Sequence, residues 1–564
     1  MITDIFALIP VVALGILFLI FQKRDNCWRN AILSAAIVGG VIVALSTEFF
    51  SLFRLLTFEW VFGLWLVADI LLLIFYLKFQ SVQPIFEKNQ DEKFPSFLVG
   101  LLGGVLFIFA AVGLIAVVAP PNNWDSMTYH MSRVVHWMQN RSVEHYPTSY
   151  VPQLYHPPWA EFAIMHFQIL SGGDRFANLV QWLSMVGSAI AVSLIAKQLG
   201  ANVRGQVFAA VFAATLPMGI LQGSSTQNDY AVCFWVVCFV SCGLAGGMSP
   251  GITGFNTFKI GASLGLAILT KTTAYIFCLP SIIWFIVGGI KCFRGKMLRP
   301  ILIIAAVTLV LNIGHFWRNY DLFGYAIGSP QDFTKEYKIE VFTLPNFLSN
   351  VIRNLGMQAG TRISRINGAI AGVINILHRI LGVATNDPRI TWPPGQVFAI
   401  ATPSFNRPLA KILLIKFWNG QDARSTRKKI LWDGHLARPS YFCKRSFRSR
   451  SQIEVAYNTA VDFVKSKNCT NTGLSFWAKN AWEYPLWVMF PEPGKPAPRI
   501  EHISTIDPVV KQKLNSEPYK SFTPCAIIYF ARKNDGRQGK EMVVKNQTYL
   551  QKWSMEPLSV FVKK

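Results

Sequence analysis

The sequence predicts an α-helical polytopic membrane protein with a small α/β domain outside the membrane at its C-terminal end, and three observations carry that prediction. Of 564 residues, 52% are hydrophobic and only 15% are charged, a balance that leaves a soluble protein of this length short of polar surface. Apolar runs of membrane-crossing length recur along the first 316 residues. After residue 450 the pattern changes to one helical period followed by short runs of β-branched and aromatic residues.

Runs near or above the length that crosses about 30 Å of hydrocarbon fall at 5–22, 31–46, 58–78, 97–119, 176–196, 206–221, 229–247, 258–273, 275–290 and 300–316, which makes ten expected spans. The first, in "ITDIFALIPVVALGILFLIFQKR", lacks the basic leader and small-residue cleavage site of a secretory signal, so it reads as a retained span. Orientation follows from the short loops, because Lys and Arg are held on the cytoplasmic side. One alternating set of loops carries Lys23, Arg24 and Arg29, then Lys88 and Lys93, then Lys197 and Arg204, then Lys291, Arg294, Lys296 and Arg299, while the opposite loops 47–57 and 222–228 hold only Arg54. The first set is therefore placed in the cytoplasm. The long loop after the fourth run, and the C-terminal domain, are placed on the outer (periplasmic) side of the inner (plasma) membrane.

The segments in order are N-terminal spans over 1–119, an outer catalytic loop with interfacial helices over 120–175, a helical core over 176–316, an outer-face amphipathic segment over 317–405, a basic irregular stretch over 406–450, and a small α/β domain over 451–564. Within the loop, "MSRVVHWMQ" is a short helix candidate. The apolar stretch after His156-Pro157-Pro158, with Glu161 and His166, is too short to cross and reads as a helix lying in the interface. Ile366, Ile370, Val373, Ile374, Leu377 and Ile380 recur at helical spacing with Arg362, Arg365 and Arg379 between them, an amphipathic helix resting on the outer surface. In the last segment "IEVAYNTAVDFVKSKN" has a helical pattern, and "TGLSFW", "RIEHIS", "CAIIYFARK" and "LSVFVKK" read as strands. The net charge of +24 points to anionic lipid headgroups or lipid phosphates as partners and not to nucleic acid. Nine cysteines form no CxxC pair or metal-ligand spacing, so neither a disulfide framework nor a zinc site is expected.

Topology selects the residues for chemistry. Asp125, His130 and His156 in the outer loop, Asp229 in "GSSTQNDYAV", Lys271 in "LAILTKTTAY" and Arg318 in "HFWRNYDLFG" all fall on the outer side, and ionisable groups at a membrane tend to mark substrate paths. Carboxylates supply a base or a metal ligand, and Lys and Arg neutralise an anionic leaving group such as a phosphate. Each also has a plain structural alternative. Asp125 and Asp229 are good helix caps, Lys271 is placed to snorkel, the histidines match no zinc motif such as HExxH, "HPPW" is a helix start, and the basic stretch is a solvated charge run.

In order, "NNWDSMTYHMSRVVHWMQN", "YHPPWAEFAIMHFQILSGGDRFANLVQWLS", "GILQGSSTQNDYAVCFW" and "LAILTKTTAYIFCLP" resemble the polytopic GT-C glycosyltransferases, nearest the branch related to protein mannosyltransferases and the lipid A aminoarabinose transferase. The resemblance covers about residues 97–400 and reappears at "AVDFVKSKNCTNTGLSFWAKNAWEYPLWVMF". It implies a sugar drawn from a polyprenyl-phosphate donor and passed to an acceptor hydroxyl on a glycan, lipid or protein at the outer face, with inversion. It also implies catalytic roles for Asp125 and Asp229, and substrate contacts from His130, Arg133, His156, Lys271 and Arg318. Three departures stand out. Ser126 occupies the place of a second acid, which leaves the need for a divalent cation open, three spans precede the one leading into the catalytic loop, and the basic stretch 406–450 stands where more spans are expected, as at a deletion or frameshift junction. Other functions consistent with the chain are an O-antigen-type polymerase or ligase and a non-catalytic truncated membrane protein. A secondary transporter would bring internal repeats and broken helices, and the sequence has neither.

Overall fold

The computed structural model describes residues 3–25, 27–79, 95–247, 254–328, 340–361, 363–391, 398, 450–476, 482–492, 496–530 and 541–564. Among these, eight helices are long and apolar enough to cross a membrane: Thr3–Asp25, Trp28–Leu52, Phe58–Lys78, Ser96–Val118, Leu179–Gln198, Asp229–Gly246, Ala274–Lys291 and Arg294–Phe323. The fold class is the expected one, a bundle of membrane-length helices followed by a small α/β domain. Two of the ten expected spans come out differently. The run 206–221 is broken into helices Val203–Thr215 and Pro217–Gln222, because Pro217 brings no N–H and disfavours helical geometry in the residue before it. The run 258–273 is a 17-residue helix, Gly254–Thr270, about 25 Å long at 1.5 Å per residue.

That short helix sits inside the bundle. Gly261 and Gly265, four apart, bring its backbone against the Leu298–Phe323 helix: a Cβ on Gly261 would lie 3.0 Å from the Ile304 Cα, and one on Gly265 would lie 3.1 Å from the Thr308 Cα. The close approach lets the Thr308 hydroxyl and the Asn312 amide donate to the Gly261 and Gly265 carbonyls at 3.1 and 3.0 Å, the small-residue packing by which apolar helices associate without a hydrophobic driving force. The basic loops gather at one end of the bundle, where Arg29 donates to the Ser193 hydroxyl at 2.6 Å and to Gln206 at 2.9 Å. Lys88, Lys93, Arg362 and the whole of 406–449 lie outside the described residues.

The helix expected after residue 363 is Ser364–Ile380, and it pairs with Leu344–Gln358 through a Ser349 to His378 hydrogen bond of 2.9 Å. It turns Asn367, Ile374 and His378 inward and leaves Ile366, Val373, Leu377 and Ile380 exposed, so its apolar stripe faces away from the protein, as on a membrane surface. The helix expected to lie in the interface is Trp159–Ser171, and here the expectation fails: nearly every side chain on it is buried, Glu161 and His166 included. Both ring nitrogens of His166 are paired internally. Trp65 Nε1 donates to His166 Nδ1 at 3.1 Å, which leaves Nε2–H to donate to Thr47 at 2.9 Å.

The C-terminal domain opens with helix Arg450–Lys465 and builds a six-stranded sheet from β1 (Asn471–Phe476), β2 (Arg499–His502), β3 (Ala526–Phe530), β4 (Glu541–Val544), β5 (Gln547–Met555) and β6 (Leu558–Lys563) in the order β2-β1-β3-β6-β5-β4. β1 pairs in parallel with β2 and β3, and the remaining pairs are antiparallel. The pleat divides β3 between two cores: Ala526 and Ile528 face the helix residues Tyr457, Ala460, Val461 and Val464, while Ile527 and Tyr529 meet Tyr549 and Phe561 on the other face. Double burial explains the unbroken apolar run in "CAIIYF". Contrary to the reading of the cysteines, Cys469 and Cys525 form a disulfide between the N-terminal ends of β1 and β3, with Cα atoms 5.7 Å apart. Their spacing of 56 residues leaves no local motif, so only sheet pairing brings them together.

Candidate functional site

The loop after the Ser96–Val118 helix enters the site through a helical start at Trp124 and Asp125, a π-type turn over Ser126–His130, and the Met131–Asn140 helix. Asp125 does not cap it. The Asn123 side chain does so, accepting from the Ser126 N–H at 2.6 Å. The Asp125 carboxylate instead accepts from Gln227 Nε2 at 2.9 Å, and Ser126 bonds Thr226 at 2.6 Å, so the loop is tied to the turn before the Asp229–Gly247 helix. Two residues on, Asp229 accepts from Lys271 Nζ at 2.6 Å. Lys271 sits one residue past the Gly254–Thr270 helix, about one-third exposed. Asp125, Asp229 and Lys271 therefore share one cradle at the end of the spans opposite the basic loops.

Deeper in the loop, Glu161 has no exposed surface and accepts from His130 Nδ1 at 2.6 Å, with Arg133 Nη1 at 3.7 Å. Burial by itself pushes the Glu161 carboxyl up, but the His130 hydrogen bond and the charges of His130 and Arg133 outweigh it and hold the group below its usual range. Arg133 donates through Nη2 to the carbonyls of Leu154 and His156 and so fixes the entry to His156-Pro157-Pro158. Its Nε and Nη1 groups are buried without a hydrogen-bond partner among the described residues. His156 is part-buried beside the Tyr129 ring, and burial, with Arg133 nearby, pushes its pKa down to about 3, so it is neutral at neutral pH. Tyr129 stands between the two groups of charges. Burial, then Glu161 and Asp125, drive its hydroxyl well above the usual value, and it remains a phenol.

The seven residues singled out in the sequence thus fall into three arrangements. Asp125, Asp229 and Lys271 form the cradle; His130, Arg133 and His156 surround Glu161 and Tyr129 behind it. Arg318 is taken up elsewhere: Nη1 and Nη2 hold the Glu48 carboxylate in a bidentate pair at 2.6 and 2.7 Å, joining the ends of two long helices. Glu48 and Glu161 escaped the reading of the sequence as site residues. A carboxylate in an apolar run such as "ALSTEFF" is signal enough to expect a partner, but that partner is 270 positions away.

The C-terminal domain covers this loop. Met127 enters the domain's core with Tyr457, Val461 and Leu486, the Trp124 and Trp482 rings meet edge to face at 5.7 Å, and Gln139 exchanges hydrogen bonds with the backbone of Ile500 at 2.9 Å. The loop that carries Asp125 is consequently clamped between the helical bundle and the C-terminal domain.

No protein-family model matches the chain, and comparison with curated proteins finds no match. Among solved structures it is similar to ArnT from Cupriavidus metallidurans in the apo state, at 14% identity over 83% of this chain and 97% of that one, with a TM-score of 0.42. It is also similar to ArnT from the same organism bound to undecaprenyl phosphate, at 13% identity over 83% and 98% of the two chains, with a TM-score of 0.39.

Proposed function

We propose that this chain is an inverting membrane glycosyltransferase that moves a sugar from a polyprenyl-phosphate donor to an acceptor hydroxyl at the outer membrane face. The observation that carries the reading is the cradle in which a carboxylate, Asp125, and an ammonium, Lys271, are joined through the segment Thr226–Asp229 at the ends of membrane helices. A lipid-borne substrate reaches such a place with its tail in the bilayer and its phosphate and sugar outside. The order of the motifs, which resembles that of the GT-C enzymes, points the same way.

In this mechanism the acceptor hydroxyl attacks the anomeric carbon as its proton passes to the Asp125 carboxylate, and the bond from that carbon to the phosphate oxygen breaks with its electrons on the oxygen. Gln227 orients the base through its 2.9 Å hydrogen bond. Lys271 meets the charge growing on the departing polyprenyl phosphate, and Arg133, buried behind the cradle with Nη1 3.7 Å from Glu161, adds positive charge near it. Asp229 positions Lys271. His130 acts through Glu161, and neutral His156 orients sugar hydroxyls. Arg318, held by Glu48, is assigned to the scaffold. Lys and Arg at the opposite end of the bundle and the Cys469–Cys525 disulfide, which suits an oxidising compartment, support an outer-side location in the plasma membrane.

The test is transfer by purified protein in vesicles containing a labelled polyprenyl-phosphate sugar, with Asp125→Asn beside the unaltered chain. Loss of transfer in a folded variant supports the mechanism; transfer at the unaltered rate removes it. Products that grow by repeated units would point to a polymerase.

A further inference from the structure

Outside the cradle, the molecule holds a second buried cluster whose chemistry is that of a metal centre. His136 lies on the Met131–Asn140 helix of the outer loop, Glu483 just ahead of the short Tyr484–Met489 helix, and His502 at the end of β2. All three are buried, and one donor atom from each lies within 4.8 Å of the others. His136 Nε2 approaches Glu483 Oε1 at 2.6 Å and His502 Nε2 approaches Oε2 at 3.1 Å. From these residues we infer a structural zinc site that staples the C-terminal domain to the outer loop.

The donor set decides the ion. Two imidazole nitrogens and a carboxylate suit zinc and supply three of the four donors of its tetrahedral shell. Each Glu483 oxygen has two lone-pair directions. One side faces the imidazoles. The other is already used: Trp487 Nε1 donates to Oε1 at 3.0 Å and Gln153 Nε2 to Oε2 at 3.1 Å. Gln153 is held in turn, its carbonyl accepting from Tyr146 and Thr148 at 3.0 and 2.9 Å. Outer hydrogen bonds of this kind fix the carboxylate for a metal. The Tyr146 ring stacks on His136 at 4.1 Å and the Phe476 ring meets His502 edge-on at 5.3 Å, which orients both imidazoles. Neither Nδ1 has a partner among the described residues, so the tautomer of each ring is set from its Nε2 side, where the ion would sit. A dication also balances the charge of the buried Glu483. Because the Met131–Asn140 helix continues the turn from Asp125 to His130, such an ion would hold the site loop against the domain.

The experiment measures metal in the full-length protein purified without chelators, and then the visible spectrum after exchange into cobalt(II). About one zinc per chain and a tetrahedral cobalt spectrum are expected. His136→Ala and Glu483→Gln should each lower the metal content at least tenfold with helical content preserved. Should those variants fail to fold, His502→Cys decides, because a thiolate still binds and would add a sulfur-to-cobalt charge-transfer band. Unaltered protein that carries no stoichiometric metal and takes up no cobalt overturns the proposal, as does full metal content in Glu483→Gln. Neither result touches the transferase reading, since Asp125 and Lys271 stand outside the cluster.

Discussion

Glu161→Gln is the most demanding test of how the loop is held. The substitution keeps the size and removes the charge of a carboxylate with no exposed surface, bonded to His130 at 2.6 Å and faced by Arg133 at 3.7 Å. What remains is a guanidinium, also buried, whose Nε and Nη1 have no hydrogen-bond partner among the described residues. Leaving such a charge uncompensated costs about 3 to 5 kcal/mol. Burial already pushes the Arg133 pKa down and Glu161 is the first charge to oppose it, so the variant should lose stability in that range at pH 7. Arg133→Met in the same background removes the orphan charge, and the double variant should be more stable than the sum of the two single effects by roughly 2 kcal/mol. The sign of the pH dependence is fixed as well. With its pKa lowered by folding, Glu161 contributes fully above the ordinary carboxylate range and loses that contribution as pH falls through its folded pKa. The glutamine variant should lack this acid-labile part. Unfolding free energies in mixed micelles titrated with dodecyl sulfate provide the assay. A single variant within 1 kcal/mol of the unaltered protein, or strictly additive effects, would refute the assignment of Glu161 as counter-ion to Arg133.

Other expectations follow from the same geometry. His156, with a folded pKa of about 3, binds fewer protons folded than unfolded between that value and about 6.5, so stability should fall with decreasing pH through this window. The loss should reach about 2 kcal/mol at pH 5 relative to pH 7; an unchanged pH profile in His156→Gln would contradict it. Lys271→Met should lower kcat/KM by roughly 100- to 1000-fold and alter stability by less than about 1 kcal/mol, because its pair with Asp229 is part-exposed; equal rates for Met and Lys would rule out its role at the leaving phosphate. Reducing the Cys469–Cys525 bridge, which closes 56 residues, should destabilise the C-terminal domain by about 2 to 4 kcal/mol, read as the reductant-dependent shift in its unfolding. Maleimide labelling of both cysteines before reduction would show that the bridge is absent.

Part of this was legible along the chain because it rests on local signals. Apolar length gives the spans, period 3.6 gives the Ser364–Ile380 helix, and apolar β-rich runs give β1, β2, β3 and β6. The hairpin of β4 and β5 was missed because its strands carry Glu541, Lys552 and other polar residues, and Tyr549 is the one buried residue in the two strands. The Trp159–Ser171 helix was misjudged because polar residues paired in an interior and polar residues facing water look alike in one dimension. The close approach at Gly261 and Gly265 had a visible trace in their spacing of four.

By itself the sequence determined the membrane class, the end of the bundle on which its candidate residues lie, and the candidacy of Asp125, Asp229 and Lys271, because hydropathy, charge bias and motif order are properties of short segments. Only the tertiary structure decided which charge meets which. It gave Asp125 to Gln227, Lys271 to Asp229, Arg318 to Glu48, His130 to Glu161 and His136 to Glu483, pairs up to 347 residues apart. The physical reason is that a buried ionisable group must find its partner in space, and no local pattern records where along the chain that partner stands.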